Sequence, residues 1–359
     1  MQEPSTDRAA TRTKDLPKSA GPTALNGGSR SLSGVSTSLP LDLPQLEPDL
    51  ARVEAALRQS VTTDDAFLTE VAQSLVIAGG KRIRPVLALA AAYCGAGTAS
   101  DDVVQGAVAV ELVHLGSLYH DDVMDEADTR RGIATANARY GNFVAIVAGD
   151  FCLAKSAQIA ASLGVEVSAL LGFTIGRLCE GQVGELQTLF NPARPELSYL
   201  SSIDGKTASL MSTACRIGAI TSGLAREQID ALTVYGQRVG MVFQIVDDIL
   251  DLVATDEELG KPAGNDVVEG VYTLPLLRAL QDHAVGDELL AMIGGPVERS
   301  AVDQIRKLVR ASSGVESAVH DARRFADEAR AAMDTLPPGP ARNELAGFGH
   351  VLIDRLPPL

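Results

Sequence analysis

The 359-residue sequence has little positive charge to set against its acidic side chains: 31 Lys and Arg face 46 Asp and Glu, a net charge of −15. Nucleic-acid binding and docking on anionic lipid both need a basic face, so neither partner is expected. Cysteine is also scarce. Cys94, Cys152, Cys179 and Cys215 stand far apart without a CxxC pair, which argues against a disulfide scaffold or zinc framework and for buried thiols in a reducing compartment. The sequence has no Asn-x-Ser/Thr acceptor and no apolar signal-peptide segment. No apolar run approaches the roughly 18 residues of a membrane span, and the chain reads as cytoplasmic, without a transmembrane segment. Alternating β patterns are rare as well.

What the sequence does contain is helix-forming. With 46% hydrophobic and 21% charged residues it can bury an ample core. Residues 1–45 are rich in Ser, Thr, Gly and Pro and read as a disordered tail. Residues 46–359 read as one domain, with long helical patterns over 101–124, 141–163, 168–190, 197–222 and 228–253. The fold class is therefore all-α: a large single-domain helical bundle whose centre can hold a cavity.

Two stretches carry the chemistry, HDDVMDEAD at 120–128 and VDDILDLVATDEE at 246–258. Residues four apart on a helix share a face about 6 Å apart along the axis, so Asp121 pairs with Asp125 and Asp247 with Asp251. A single such pair is more often a solvated acidic turn. Two pairs on otherwise apolar helices reverse that reading, because uncompensated carboxylates are costly there. An all-oxygen donor set favours Mg²⁺ shared with substrate phosphates over Zn²⁺. An EF-hand is excluded, since DDVMDEADTRRG lacks the turn glycine and the closing glutamate.

Cations are concentrated in GGKRIRP at 79–85, in Arg130-Arg131-Gly132, and at Lys206 and Lys261. In the first, glycines permit close backbone approach while Lys81, Arg82 and Arg84 offer charge and a bidentate fork for phosphate. Taken alone, these could also be solvated cations at a helix start, and Arg130 and Arg131 could pair with Glu126 or Asp128. Asp204-Gly205-Lys206-Thr207 imitates the end of a nucleotide-binding loop, but Leu200 occupies the required glycine position and no strand precedes it. His283, His320 and His350 are assigned no role.

Taken in order, GGKRIRP, ELVHLGSLYHDDVMD, RRG, the Ala148-Gly149-Asp150 step, GKT, FQIVDDILD and GKPAGND make the chain from about 75 to 280 resemble the trans-isoprenyl diphosphate synthases, the polyprenyl synthetases. The resemblance implies a prenyltransferase. Asp121, Asp125, Asp247, Asp248 and Asp251 would cage three Mg²⁺ ions on an allylic diphosphate that Arg130, Lys206 and Lys261 also hold. Lys81, Arg84, His114 and Arg131 match a metal-free isopentenyl diphosphate site, and the oxygens of Thr207 and Gln244 face the allylic cation. Metals and cations would stabilise the departing diphosphate. The isopentenyl double bond then attacks the cation, and the released diphosphate takes the final proton.

One departure stands out: Val271 follows Glu269-Gly270 where many members carry Lys or Arg, so weaker phosphate affinity or a substitute cation is expected, with activity retained. Gly116 and Ser117 lie one turn before Asp121, where aromatic residues close the family's product tunnel. Their small size, and the lack of an insertion in the first motif, imply a product beyond C15, in the C30–C50 range. Val113 or Ala109, further up that face, would set the limit. The alternative is that Gly116 and Ser117 only let helices pack closely. A C20 synthase, a class I terpene cyclase and a noncatalytic subunit are the competing functions. The last two fit less well, because a cyclase needs no second phosphate clamp and no aspartate has been lost. The family also implies a homodimer.

Overall fold

The computed structural model describes residues 41–95, 97–259 and 262–357. The chain begins with α1 (Leu46–Ser60), α2 (Ala66–Ile77), α3 (Ile83–Tyr93) and α4 (Asp101–Met124). Helix α4 is the axis of the fold. The Ser100 hydroxyl accepts the Val103 N–H, and Asp101 and Asp102 match the dipole of the first turn. Beyond that turn nearly every side chain as far as Tyr119 is buried, so α4 carries no continuous polar stripe.

A short antiparallel hairpin, β1 (Thr129–Arg130) and β2 (Ile133–Ala134), follows α4. Arg131 and Gly132 at its tip both have positive φ, 53° and 77°, the signature of a type I′ turn. Next come α5 (Ala136–Tyr140), α6 (Asn142–Leu163), α7 (Val165–Leu186) and α8 (Glu196–Ile203). They lead to α9 (Ser209–Thr221) and α10 (Arg226–Val253). Helix α4 packs on α1, α3, α6 and α9, and α10 packs on α9. Short helices α11 (Asp256–Leu259) and α12 (Asn265–Glu269) precede a peripheral group: α13 (Leu274–Ala279), α14 (Gly286–Met292), α15 (Arg299–Ala311), α16 (Gly314–Ala332) and α17 (Pro340–Ile353). Helix α16 covers the outer side of α10.

The structure differs from the sequence reading in four places. The helix expected over 197–222 is interrupted by one π-helical turn, Asp204–Ala208. There the backbones of α7 and this turn touch: a Cβ at Gly181 would lie 2.5 Å from the Lys206 nitrogen, so only glycine fits. Second, Leu41 and Leu43 are buried, so residues 41–45 belong to the domain and not to the tail; residues 1–40 lie outside the described residues. Third, the thiols are not all buried: Cys152 and Cys215 are, Cys94 is half-buried and Cys179 is exposed.

Fourth, α6 is apolar and long enough to cross a membrane by length and composition, with a mean hydropathy of 1.5 over its window. In this fold Ala145, Ala148, Cys152, Ser156 and Ala160 on α6 are buried, and Ser156 Oγ donates to the Ala109 carbonyl of α4 at 2.8 Å. Its Phe143, Ile146 and Val147 are exposed, as are Val165 and Phe173 on α7.

Candidate active site

Helix α4 ends in the site, with Asp125 as its C-cap residue donating its N–H to the Asp121 carbonyl. Asp121 and Asp247 line one cavity of about 540 Å³ together with Arg84, His114, Ser117 and Lys206. Asp125 and Asp248 line an adjoining space of about 280 Å³, and Gln182, Lys206, Thr207 and Gln244 border both. The two aspartate motifs thus stand on facing walls of one cleft, α4 on one side and α10 on the other, with α7 and the π turn between them.

The carboxylates strain against one another. Burial raises the Asp121 pKa to about 6, with Asp125 and Glu185 adding to the effect and Lys206 and Arg130 opposing it. Asp125 is raised by burial too. Lys206 Nζ lies 2.6 Å from Glu185 Oε1, and Glu185 with both aspartates outweighs the burial that would discharge the lysine. Among the described residues no group of three His, Cys, Asp or Glu side chains could hold a metal by itself. Facing carboxylates with raised pKa values nevertheless suit a divalent cation that takes its remaining oxygens from a ligand.

On the α10 wall the side chains form a chain of hydrogen bonds. Thr207 Oγ1 donates to Gln244 Oε1 at 2.8 Å and Gln244 Nε2 to Asp248 Oδ1 at 2.8 Å. The Tyr199 hydroxyl donates to Asp248 Oδ2 at 2.5 Å. Burial pushes Asp248 up to about 7 despite these donors. Asp251 is placed differently from the other aspartates: its carboxylate accepts the backbone N–H groups of Asn265 and Asp266 at 3.3 and 3.2 Å, at the start of α12. Asp251 lies one turn after Asp247 on α10, as the spacing predicts, and the following loop folds back over its carboxylate. Lys261 lies outside the described residues.

The basic residues converge beside this cleft. Arg84 and His114 line the larger cavity, and Arg131 Nη1 donates to the Gly79 carbonyl. Gly80 suits this position because its backbone φ is +148°, a conformation that side-chain-bearing residues rarely adopt. Lys81 is exposed and lines neither space. Arg84 Nε is buried without a partner, and burial lowers the Arg84 pKa. Burial and then Arg84, Arg131, Arg130 and Arg82 hold His114 well below its ordinary value, so its imidazole is neutral. Arg82 does not belong to this surface. Its backbone takes a left-handed φ of 47°, and its side chain is buried between Glu54 and Glu111. Arg130 pairs with the buried Asp122 and not with Glu126 or Asp128.

Ser117 faces the cavity, its hydroxyl donating to the His114 carbonyl at 2.8 Å. Gly116 does not. A Cβ there would lie 3.0 Å from the Gly149 carbonyl, so Gly116 serves the α4–α6 contact, the packing alternative raised above. Val113 and Ala109 are fully buried. Sequence reasoning missed Glu185 and Gln182 on α7, whose signal was their spacing with Leu178 on one helix face, and Tyr199 and His120. His120 lines the cavity with Nε2 3.4 Å from Asp150 Oδ1.

With this geometry in place, comparison decides the family: the polyprenyl synthetase model matches residues 65–311. The chain belongs to the polyprenyl synthetase family. This polyprenyl synthetase is 38% identical over 308 residues to the nonaprenyl diphosphate synthase of Mycobacterium tuberculosis, covering 85% of this chain and 92% of that protein. It is 38% identical over 301 residues to heptaprenyl diphosphate synthase component 2 of Geobacillus stearothermophilus, covering 84% and 93%. It also matches a crystal structure of geranylgeranyl pyrophosphate synthase from Corynebacterium glutamicum complexed with calcium and isoprenyl diphosphate, at TM-score 0.77 and 38% identity, covering 86% and 96%. The all-α fold and the prenyltransferase class expected of a polyprenyl synthetase hold for this protein.

Proposed function

We propose that this prenyltransferase is a long-chain all-trans polyprenyl diphosphate synthase, extending an allylic diphosphate with isopentenyl diphosphate to a C30–C50 product. The observation that carries the reading is the cleft itself. The larger space holds Asp121, Asp247 and Lys206 together with Arg84 and neutral His114, and the adjoining one holds Asp125, Glu185 and Asp248, with Arg131 acting on His114 from outside both linings. Carboxylates on facing walls with a cationic end at Arg84 support two diphosphates of different counter-ion need. In this reading Asp121, Asp125, Asp247 and Asp248 hold Mg²⁺, three ions by the family pattern, and Asp251 positions α12 behind them. Bound Mg²⁺ would neutralise the departing diphosphate.

Lys206, Arg130 and Lys261 bind that same diphosphate, and Lys81, Arg84, His114 and Arg131 bind isopentenyl diphosphate. Thr207 and Gln244 turn oxygen lone pairs toward the developing cation, while Met124, Leu178 and Leu186 exclude water. Ser117 at the cavity wall and the nonaprenyl and heptaprenyl relatives favour a long product; the Corynebacterium relative favours C20. The exposed apolar face of α6 and α7 supports a second copy of this chain as its cover, and the free thiols support a cytoplasmic setting. The test is incubation with Mg²⁺, labelled isopentenyl diphosphate and, separately, dimethylallyl, geranyl, farnesyl or geranylgeranyl diphosphate. A ladder ending at one long polyprenol is expected; termination at C20 would select the shorter reading, and no incorporation would refute both.

A further inference from the structure

The loop between α7 and α8 places a guanidinium behind the second aspartate motif. Arg194 is only 4% exposed. Its Nη1 donates to the Tyr272 carbonyl at 3.3 Å and its Nη2 to Ser202 Oγ at 2.9 Å, while the guanidinium lies 5.6 Å from the Tyr199 ring centroid. Nε is buried without a partner, and among the described residues no carboxylate comes within ion-pair distance of Arg194. A buried cation held only by neutral groups is costly unless negative charge nearby offsets it. The nearby negative charge is that of Glu185 and Asp248, with the Tyr199 hydroxyl between Arg194 and Asp248.

The other half of the observation is Val271, beside Tyr272. It lines the cleft on the same wall as Asp248 and is itself uncharged. We infer that Arg194 supplies, from behind Tyr199, the positive charge that position 271 lacks, and so sets Asp248 and the 271–273 segment for the allylic diphosphate. Arg194 is a positioning residue, since it does not line that part of the cleft. The inference rests on the assignment of that half of the cleft to the metal-bound diphosphate.

The test uses the full chain and four variants: R194M, R194K, V271K and R194M/V271K. Two quantities are read: the thermal shift produced by inorganic diphosphate with Mg²⁺, titrated to give an affinity, and the binding of isopentenyl diphosphate without metal. R194M should weaken Mg²⁺-dependent diphosphate binding roughly tenfold and leave metal-free isopentenyl diphosphate binding within about twofold. R194K should stay within about threefold of the unmutated protein, and V271K should restore most of the R194M loss. A purely structural Arg194 predicts the opposite on both counts, a loss in R194K as large as in R194M and no rescue by V271K, and either result overturns the inference. Should R194M not fold, R194K alone decides: a tenfold loss overturns the inference. Unmutated protein that shows no Mg²⁺-dependent shift would remove the reading of the site itself, whereas a normal shift that R194M retains removes only the role of Arg194.

Discussion

Replacing Glu111 with Gln should lower stability and tighten binding of isopentenyl diphosphate at once. Glu111 is 1% exposed on α4, with Oε1 3.0 Å from Arg82 Nη1 and Oε2 without a partner. Burial raises its pKa while Arg82, Arg84 and Arg131 hold it down, so it is the shared counter-charge of the basic cluster. Removing one partner of a buried ion pair costs about 3 kcal/mol. Arg82 retains Glu54 and the Val76 carbonyl, which reduces the expected loss to about 2 kcal/mol by the same reckoning. The anion gains what the fold loses: a unit charge about 8 Å away in an effective dielectric of about 20 is worth about 2 kcal/mol. Screening through the exposed Arg131 side leaves about a five- to tenfold fall in Kd. Urea denaturation gives the first quantity, and isothermal titration with isopentenyl diphosphate in the absence of Mg²⁺ gives the second. A variant unchanged in both would refute the reasoning, because it would mean that Glu111 is already protonated in the folded protein.

Ser117→Phe should shorten the product, whereas Gly116→Ala should leave product length unchanged and cost about 1–3 kcal/mol by overpacking Gly149 and Leu153; thin-layer analysis of dephosphorylated products and denaturation separate the two. Folded-state pKa values of about 6 at Asp121 and about 7 at Asp248 lie above the ordinary carboxylate value of 3.8, so the folded protein binds these protons more tightly than the unfolded chain. Metal-free stability should therefore fall as pH rises from about 4 to about 7, and less so in Asp248→Asn; a flat denaturation profile contradicts this. Cys179 is the one exposed thiol and lines the cavity, so iodoacetamide should label it before Cys94, Cys152 and Cys215, and an allylic diphosphate analogue with Mg²⁺ should protect it. Peptide mapping that finds equal labelling with and without the analogue would place the tail elsewhere.

The parts of the fold legible in the sequence were those with one dominant cause. The helix expected over 101–124 matches α4, because a serine cap with two aspartates marks its start and a mostly apolar stretch follows. Both aspartate motifs were legible because carboxylates on apolar helices are conspicuous. What escaped depended on contacts between elements. The π turn at Asp204–Ala208 exists because α7 presses Gly181 against it, and nothing within 197–222 records that pressure. Gly116 and Ser117 are neighbours in sequence but differ by about 100° around α4, so one meets α6 and the other the cavity. Arg82 and Arg84 look equivalent in GGKRIRP, yet the left-handed backbone at 82 turns one side chain into the core and leaves the other at the cleft. The setting of Asp251 escaped for a related reason: the loop carrying Asn265 and Asp266 returns to donate two N–H groups to its carboxylate.

If the cleft takes two diphosphates as proposed, its electrostatics would sort them without reading their hydrocarbon parts. On the proposed reading, the carboxylates on the facing walls would favour a diphosphate that brings its own cations, while Arg84, with Arg131 near it, would favour a bare one. His114 sharpens the difference, since a neutral imidazole donates a hydrogen bond without adding charge to an already crowded cationic group. Lys206 stands where the two halves meet, lining both spaces and tied to Glu185. It keeps the acidic half from excess negative charge before ligands arrive. Burial, which makes both clusters costly in the free protein, would also make them selective: Arg84 Nε is buried without a partner, and an incoming anion can supply one.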